Sequence, residues 1–241
     1  MRKHATMFDQ GGSPDISVVN KATIPLGVNI DKLTHALQVY IDKYIFPVWG
    51  TGARMLPPSS EIKHGTWGLV FLDYADVEGA LAYHTLTDDG LPISNVFVKT
   101  ALRHGELVSV STSHEIVEML VDPAINMYVT GPDNRAMYAY ETADPVEAFS
   151  FPVEGIEMSD FVYPSYFESF RQRKSAKFDH MGLVQQPFQI LKGGYQAMFR
   201  DGRFYNIFAN KEKEKDFAKE DRHGHRNEIR ASRIGLDVER A

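Results

Sequence analysis

Residues 108–123 read VSVSTSHEIVEMLVDP. Ile116, Val117, Leu120 and Val121 recur at the three- and four-residue steps that bury one side of a helix. The Asp122-Pro123 pair supplies the stop, because proline cannot continue the backbone hydrogen bonding of a helix. His114, Glu115 and Glu118 fall within five positions of that helix. Positions four apart share a helix face, so His114 and Glu118 can point at one place while Glu115 stands beside them. This is a metal site or a charged helix face that contains a histidine, and the surroundings have to decide.

Upstream, the chain alternates between strand and helix signals. TIPLGVN (23–29) alternates enough for a first strand, and Asn29 then caps a helix whose apolar residues are Ile30, Leu33, Leu37, Tyr40, Ile41, Tyr44, Ile45 and Val48. Pro47 and Gly50 close it. TWGLVFLDYA (66–75) is an apolar run of the kind a strand covered on both faces requires. ALAYHTLTDDGLPISNVFV (80–98) reads as two shorter strands around an Asp-Asp-Gly turn. Alternation of this sort predicts an α+β or α/β layer, with helices packed on a twisted sheet.

Downstream of residue 124 the glycines and aromatics predict loops and short antiparallel strands, with GGYQAMFRDGRFYNIF (193–208) a hairpin turning at Asp201-Gly202. The predicted organisation is an extended polar arm over 1–22, a first subdomain over 23–123, a smaller loop- and hairpin-rich subdomain over 124–210, and a charged tail over 211–241. No internal repeat is present.

Composition narrows the function classes. The 241 residues, 43% of them hydrophobic, can bury a full core, and the net charge of −6 with dispersed basic residues argues against a nucleic-acid surface. There is no cysteine, so disulfides, thiolate metal sites and a cysteine nucleophile are excluded. The N-terminal stretch has no signal-peptide core and no run approaches the ~20 apolar residues that span a bilayer. The expectation is a soluble protein, cytoplasmic or virion-associated, without a membrane partner.

His-Glu-x-x-Glu supplies the parts that metal-assisted hydrolysis needs: two ligands from successive helical turns, and a carboxylate beside the first to take a proton from metal-bound water. A third ligand must come from elsewhere. YAYETADPVEAF (138–149) offers Glu141 and Asp144, which share a face if the segment begins a helix. One would then be a ligand and the other an acceptor for the free ring nitrogen of His114.

The strand-helix-strand-edge-strand-helix order, with His114-Glu115 on the last helix, resembles the N-terminal half of the zincin metallopeptidases. More narrowly, SHEIVEMLVDP (113–123), YETADPVE (140–147), SDFVYPSYF (159–167) and PFQILKGGY (187–195) resemble a family of bacterial and phage-encoded proteins, over roughly residues 65–200. The resemblance implies a zincin-like mixed sheet, a peptide or protein substrate held on an edge strand formed by LPISNVFV (91–98), Glu115 as general base, and His114, Glu118 and Glu141 or Asp144 as metal ligands. Zincins carry a second histidine where this chain has Glu118. The resemblance implies zinc as the cofactor of an active enzyme, while the carboxylate makes the site harder and brings in calcium, manganese or no metal as the alternatives.

Tyr163 and Tyr166 follow the acidic cluster, and the phenol of Tyr166 is a candidate to hydrogen-bond a developing oxyanion. Aromatic core packing around Pro164 is the competing reading. His180 is a substitute ligand. His64, His84 and His104 show no mutual spacing and receive no role. Ser109, Ser111 and Ser113 lack a nucleophile elbow, and Gly193-Gly194 reads as a turn. Against the hydrolase stands a non-catalytic assembly protein, such as a phage virion component, that keeps the zincin fold and joins an oligomer through its arm and tail.

Overall fold

The computed structural model describes residues 12–75, 81–211 and 214, which form a mixed α+β fold. The first strand, β1 (Asp15–Asn20), lies within the segment expected to be an arm. Ile16, Ser17, Val18 and Val19 are all buried, so both faces of β1 are covered. Three apolar residues and a serine in polar surroundings give no periodic signal, and only their neighbours make them a strand. TIPLGVN is not a strand: Thr23 binds the Asp73 carboxylate through its backbone N–H and its hydroxyl, and Gly27 turns with φ 76°.

Asn29 caps α1 (Ile30–Tyr40), its side chain accepting from the Lys32 N–H at 3.0 Å. The helix then passes through a π-helical turn over Ile41–Ile45 into α2 (Phe46–Trp49), and Gly50 closes it in the left-handed region at φ 70°. Pro47 sits in the first turn of α2, where a missing N–H is tolerated. The end falls where sequence places it.

Strands β2 (Arg54–Met55), β3 (Trp67–Leu72), β4 (Ala82–Leu86) and β5 (Pro92–Phe97) complete a five-stranded sheet in the order β2-β1-β3-β5-β4. Parallel pairing joins β2, β1, β3 and β5, and β4 alone runs antiparallel, against β5. The edges of this sheet are therefore β2 and β4, and residues 91–98, expected at an edge, lie inside it. β5 is fixed inside the sheet by β3 on one side and β4 on the other, which the linear order of strand signals does not reveal.

After β5 come α3 (Val98–Arg103) and α4 (Val108–Val121), the helix of the opening stretch. Every α4 residue except Val110 is buried. Its apolar residues join the main core with Leu69, Phe71 and Val96 of the sheet. Its hydroxyls turn inward on the backbone: Thr112 and Ser113 donate to the carbonyls of Val108 and Ser109, and Ser113 Oγ accepts the Ser159 N–H at 2.7 Å. Asp122 ends the helix and accepts the N–H groups of Asn126 and Met127. A solvated charged face is excluded by this burial.

Beyond α4, β6 (Tyr128–Thr130), β7 (Ala136–Ala139), β10 (Tyr195–Arg200) and β11 (Arg203–Phe208) form an antiparallel sheet in the order β11-β10-β7-β6. A separate pair joins β8 (Ser150–Val153) to β9 (Ile156–Ser159). The β10–β11 hairpin turns at Asp201 and Gly202 with φ 51° and 78°, as its sequence predicts. No helix among the described residues is long and apolar enough to cross a membrane. The tail beyond Lys211, apart from Glu214, and the first eleven residues lie outside the described residues.

Gly194 connects the hairpin to the acidic segment. A Cβ there would stand 2.5 Å from the Pro145 carbonyl oxygen and 2.8 Å from that of Asp144, so the backbones touch because no side chain intervenes. Gly194→Ala is expected to lower stability by about 1–3 kcal/mol through overpacking. The midpoint of urea unfolding against wild type measures it, and an unchanged midpoint would contradict the close approach.

Candidate metal centre

Because α4 is buried, His114, Glu115 and Glu118 cannot be satisfied by bulk water and must find partners inside the protein. His114 Nε2 lies 3.1 Å from Asp144 Oδ1 and 3.4 Å from Glu118 Oε1. Glu118 Oε1 also accepts the N–H groups of Ala143 and Asp144, at 3.1 and 3.3 Å. Those bonds hold the short 3₁₀ turn Asp144–Val146 against the helix. One ligand atom from each of His114, Glu118 and Asp144 lies within 4.8 Å of the others.

Glu115 points to another partner. Its Oε2 stands 3.1 Å from Nδ1 of His84, a fully buried side chain of β4, whose Nε2 lies 3.3 Å from the Asp122 carbonyl oxygen. Ligand atoms of His84, Glu115 and Glu118 also lie within 4.8 Å of one another, so Glu118 belongs to both groups. Sequence reasoning missed His84. Its signal there was a single histidine in an apolar strand, and its proximity to α4 follows from β4 being the antiparallel edge strand.

The other candidates separate. Glu141 is buried but falls in neither converging group. The helix that would set it on one face with Asp144 does not form, since helical geometry starts only at Asp144. The Tyr166 phenol lies in a second apolar cluster with Phe167 and Phe178, and its hydroxyl donates to Gln196 Oε1 at 3.1 Å. Burial first, then the nearby Tyr138 and Asp144, raises its pKa well above the ordinary value. His180 stacks on Phe161, and its Nδ1 stands 3.2 Å from the Tyr163 hydroxyl, apart from both groups.

Electrostatics distinguish His114. Burial opposes its charge, but the carboxylates of Glu118 and Asp144, with Glu115 adding a smaller effect, outweigh that and raise its pKa well above 6.5.

No family model, no curated protein and no solved structure matches the chain.

A second acidic feature lies between the segment after β9 and residues 178–184. Asp160 and Asp179 are both fully buried; Asp160 Oδ1 accepts the Phe161 and Met181 N–H groups, and Asp179 accepts those of Leu183 and Val184. Burial, followed by the adjacent Asp179 carboxyl, pushes the Asp160 pKa from 3.8 to about 8. A pKa raised on folding contributes stability that is complete below the unfolded value, near 3.8, and is lost as pH rises through about 8. Wild type should therefore lose melting temperature relative to Asp160→Asn as pH rises from about 4 to about 8. Parallel pH profiles for the two proteins would contradict the assignment.

Proposed function

We propose that this protein is a zincin-like, metal-dependent hydrolase acting on peptide bonds, with His114, Glu118 and Asp144 holding the metal and Glu115 accepting the proton of the attacking water. The observation that carries this reading is the meeting of His114 Nε2, Glu118 Oε1 and Asp144 Oδ1 from a buried helix and the turn that packs on it. Donors about 2.0–2.2 Å from one ion stand about 2.8–3.6 Å apart for angles between square and tetrahedral. The observed separations of 3.1 and 3.4 Å fit that range.

A divalent metal at these donors supplies Lewis acidity and brings the pKa of water near ~7. One imidazole and two carboxylates suit zinc, and their hardness also suits manganese or calcium. Glu115 is adjacent to His114 on the helix and is oriented by His84, so its carboxylate is fixed beside the metal ligands. Strand β4 lies at an edge of the sheet. The substrate role expected for residues 91–98 passes to β4, whose backbone can add an extended peptide as another strand. Tyr166 has no part in this scheme, because Gln196 engages its hydroxyl inside the core.

Burial favours a second reading, a non-catalytic assembly protein of the virion type. Glu118 and His84 have no exposed surface, and the cluster can join α4, β4 and the Asp144 turn without turnover.

Purified wild type should contain a divalent metal that His114→Ala lacks; equal metal content in both would sink the site. Glu115→Gln should keep the ion held by His114, Glu118 and Asp144 while cleavage of a fluorogenic peptide library falls by about 10²–10⁴-fold. Absence of cleavage by metal-loaded wild type as well would favour the assembly reading. Metal loading should also release the proton that Glu118 and Asp144 hold on His114, giving tighter binding as pH rises. Calorimetry in buffers of different ionisation enthalpy measures that release, and buffer-independent heats would count against it.

A further inference from the structure

We infer that the same cluster takes a second divalent cation, on His84 Nδ1, the Glu115 carboxylate and Glu118, with Glu118 shared between the two ions. The inference rests on the reading of His114, Glu118 and Asp144 as a metal site. It adds a strand residue, His84, to a centre that otherwise comes from α4 and the turn after β7.

His84 Nε2 lies 3.3 Å from the Asp122 carbonyl oxygen, which can only accept, so Nε2 carries a ring proton. Its Nδ1 faces Glu115 Oε2 at 3.1 Å. A histidine that donates one ring N–H to a backbone carbonyl and presents the other nitrogen to a carboxylate is oriented as metal-binding histidines are.

The Glu118 carboxylate belongs to both groups of converging donors, and the helix places Glu115 and Glu118 three residues apart, on adjacent turns. Two-metal centres hold their ions about 3.5–4 Å apart across shared ligands. A shared carboxylate flanked by one imidazole and one further carboxylate on each side, His114 with Asp144 and His84 with Glu115, matches that plan.

A functional consequence follows for Glu115. With His84 and Glu115 free of metal, the carboxylate can accept a proton; as a ligand it cannot. Metal in excess of one ion per chain would accordingly suppress the hydrolysis proposed above.

The test is metal stoichiometry on the full chain. Metal-free protein is loaded with zinc and, in parallel, manganese, and bound metal is counted after removal of excess. Wild type should hold about two ions per chain and His84→Ala about one. One ion in wild type that His84→Ala keeps and His114→Ala loses overturns the second site and leaves the first standing. Two ions in both wild type and His84→Ala overturns it as well, since the second ion then lies elsewhere. No ion in wild type overturns both readings. Should His84→Ala fail to fold, anomalous diffraction from zinc-loaded wild-type crystals decides the matter alone: two peaks flanking Glu118 support the inference, and one peak between His114 and Asp144 overturns it.

Discussion

The Glu118 carboxylate organises the centre of this protein. It is fully buried on a helix that is itself buried, and a charge removed from water is tolerated only when hydrogen bonds or opposite charge replace its hydration. Its Oε1 receives the Ala143 and Asp144 N–H groups and faces His114 Nε2. One oxygen thereby fixes the helix, the turn and the histidine relative to one another. Removing the charge would strand donors in the interior, which costs more than the hydrogen bonds themselves contribute.

The sheet performs the complementary task. Because β4 is antiparallel and lies at the edge, it places His84 beside α4, where the imidazole meets Glu115 and the carbonyl of Asp122. The two histidines reach the helix from different origins: His114 is part of it, and His84 arrives from the sheet. The Asp144 turn is also met by Gly194, whose missing side chain lets the hairpin backbone touch Asp144 and Pro145. Elements far apart in the chain thus converge on one short stretch of helix.

A concentration of buried carboxyl groups recurs at Asp160 and Asp179. There the backbone N–H groups of Phe161, Met181, Leu183 and Val184 do the solvating, and the pair lies outside both groups of converging donors. The contrast separates two uses of buried acid. At Asp160 the acids fasten two loops by hydrogen bonds, whereas at Glu118 they gather around imidazoles, the arrangement that can exchange a proton for a metal.

Local spacing was enough to place α1, α4 and the β10–β11 hairpin, because helical periodicity, an Asp-Pro stop and an Asp-Gly turn act over a few residues. The juxtaposition of His114 with Glu118 was legible for the same reason, since four helical positions set it. What sequence could not supply was distance across the fold. The strand at Asp15–Asn20, the edge position of β4, the approach of His84 and the choice of Asp144 over Glu141 all depend on strand pairing and on backbone contacts between residues tens of positions apart. Those contacts exist only once apolar faces have been buried together, so the helix was written in its own sequence and its chemical neighbourhood was decided by packing.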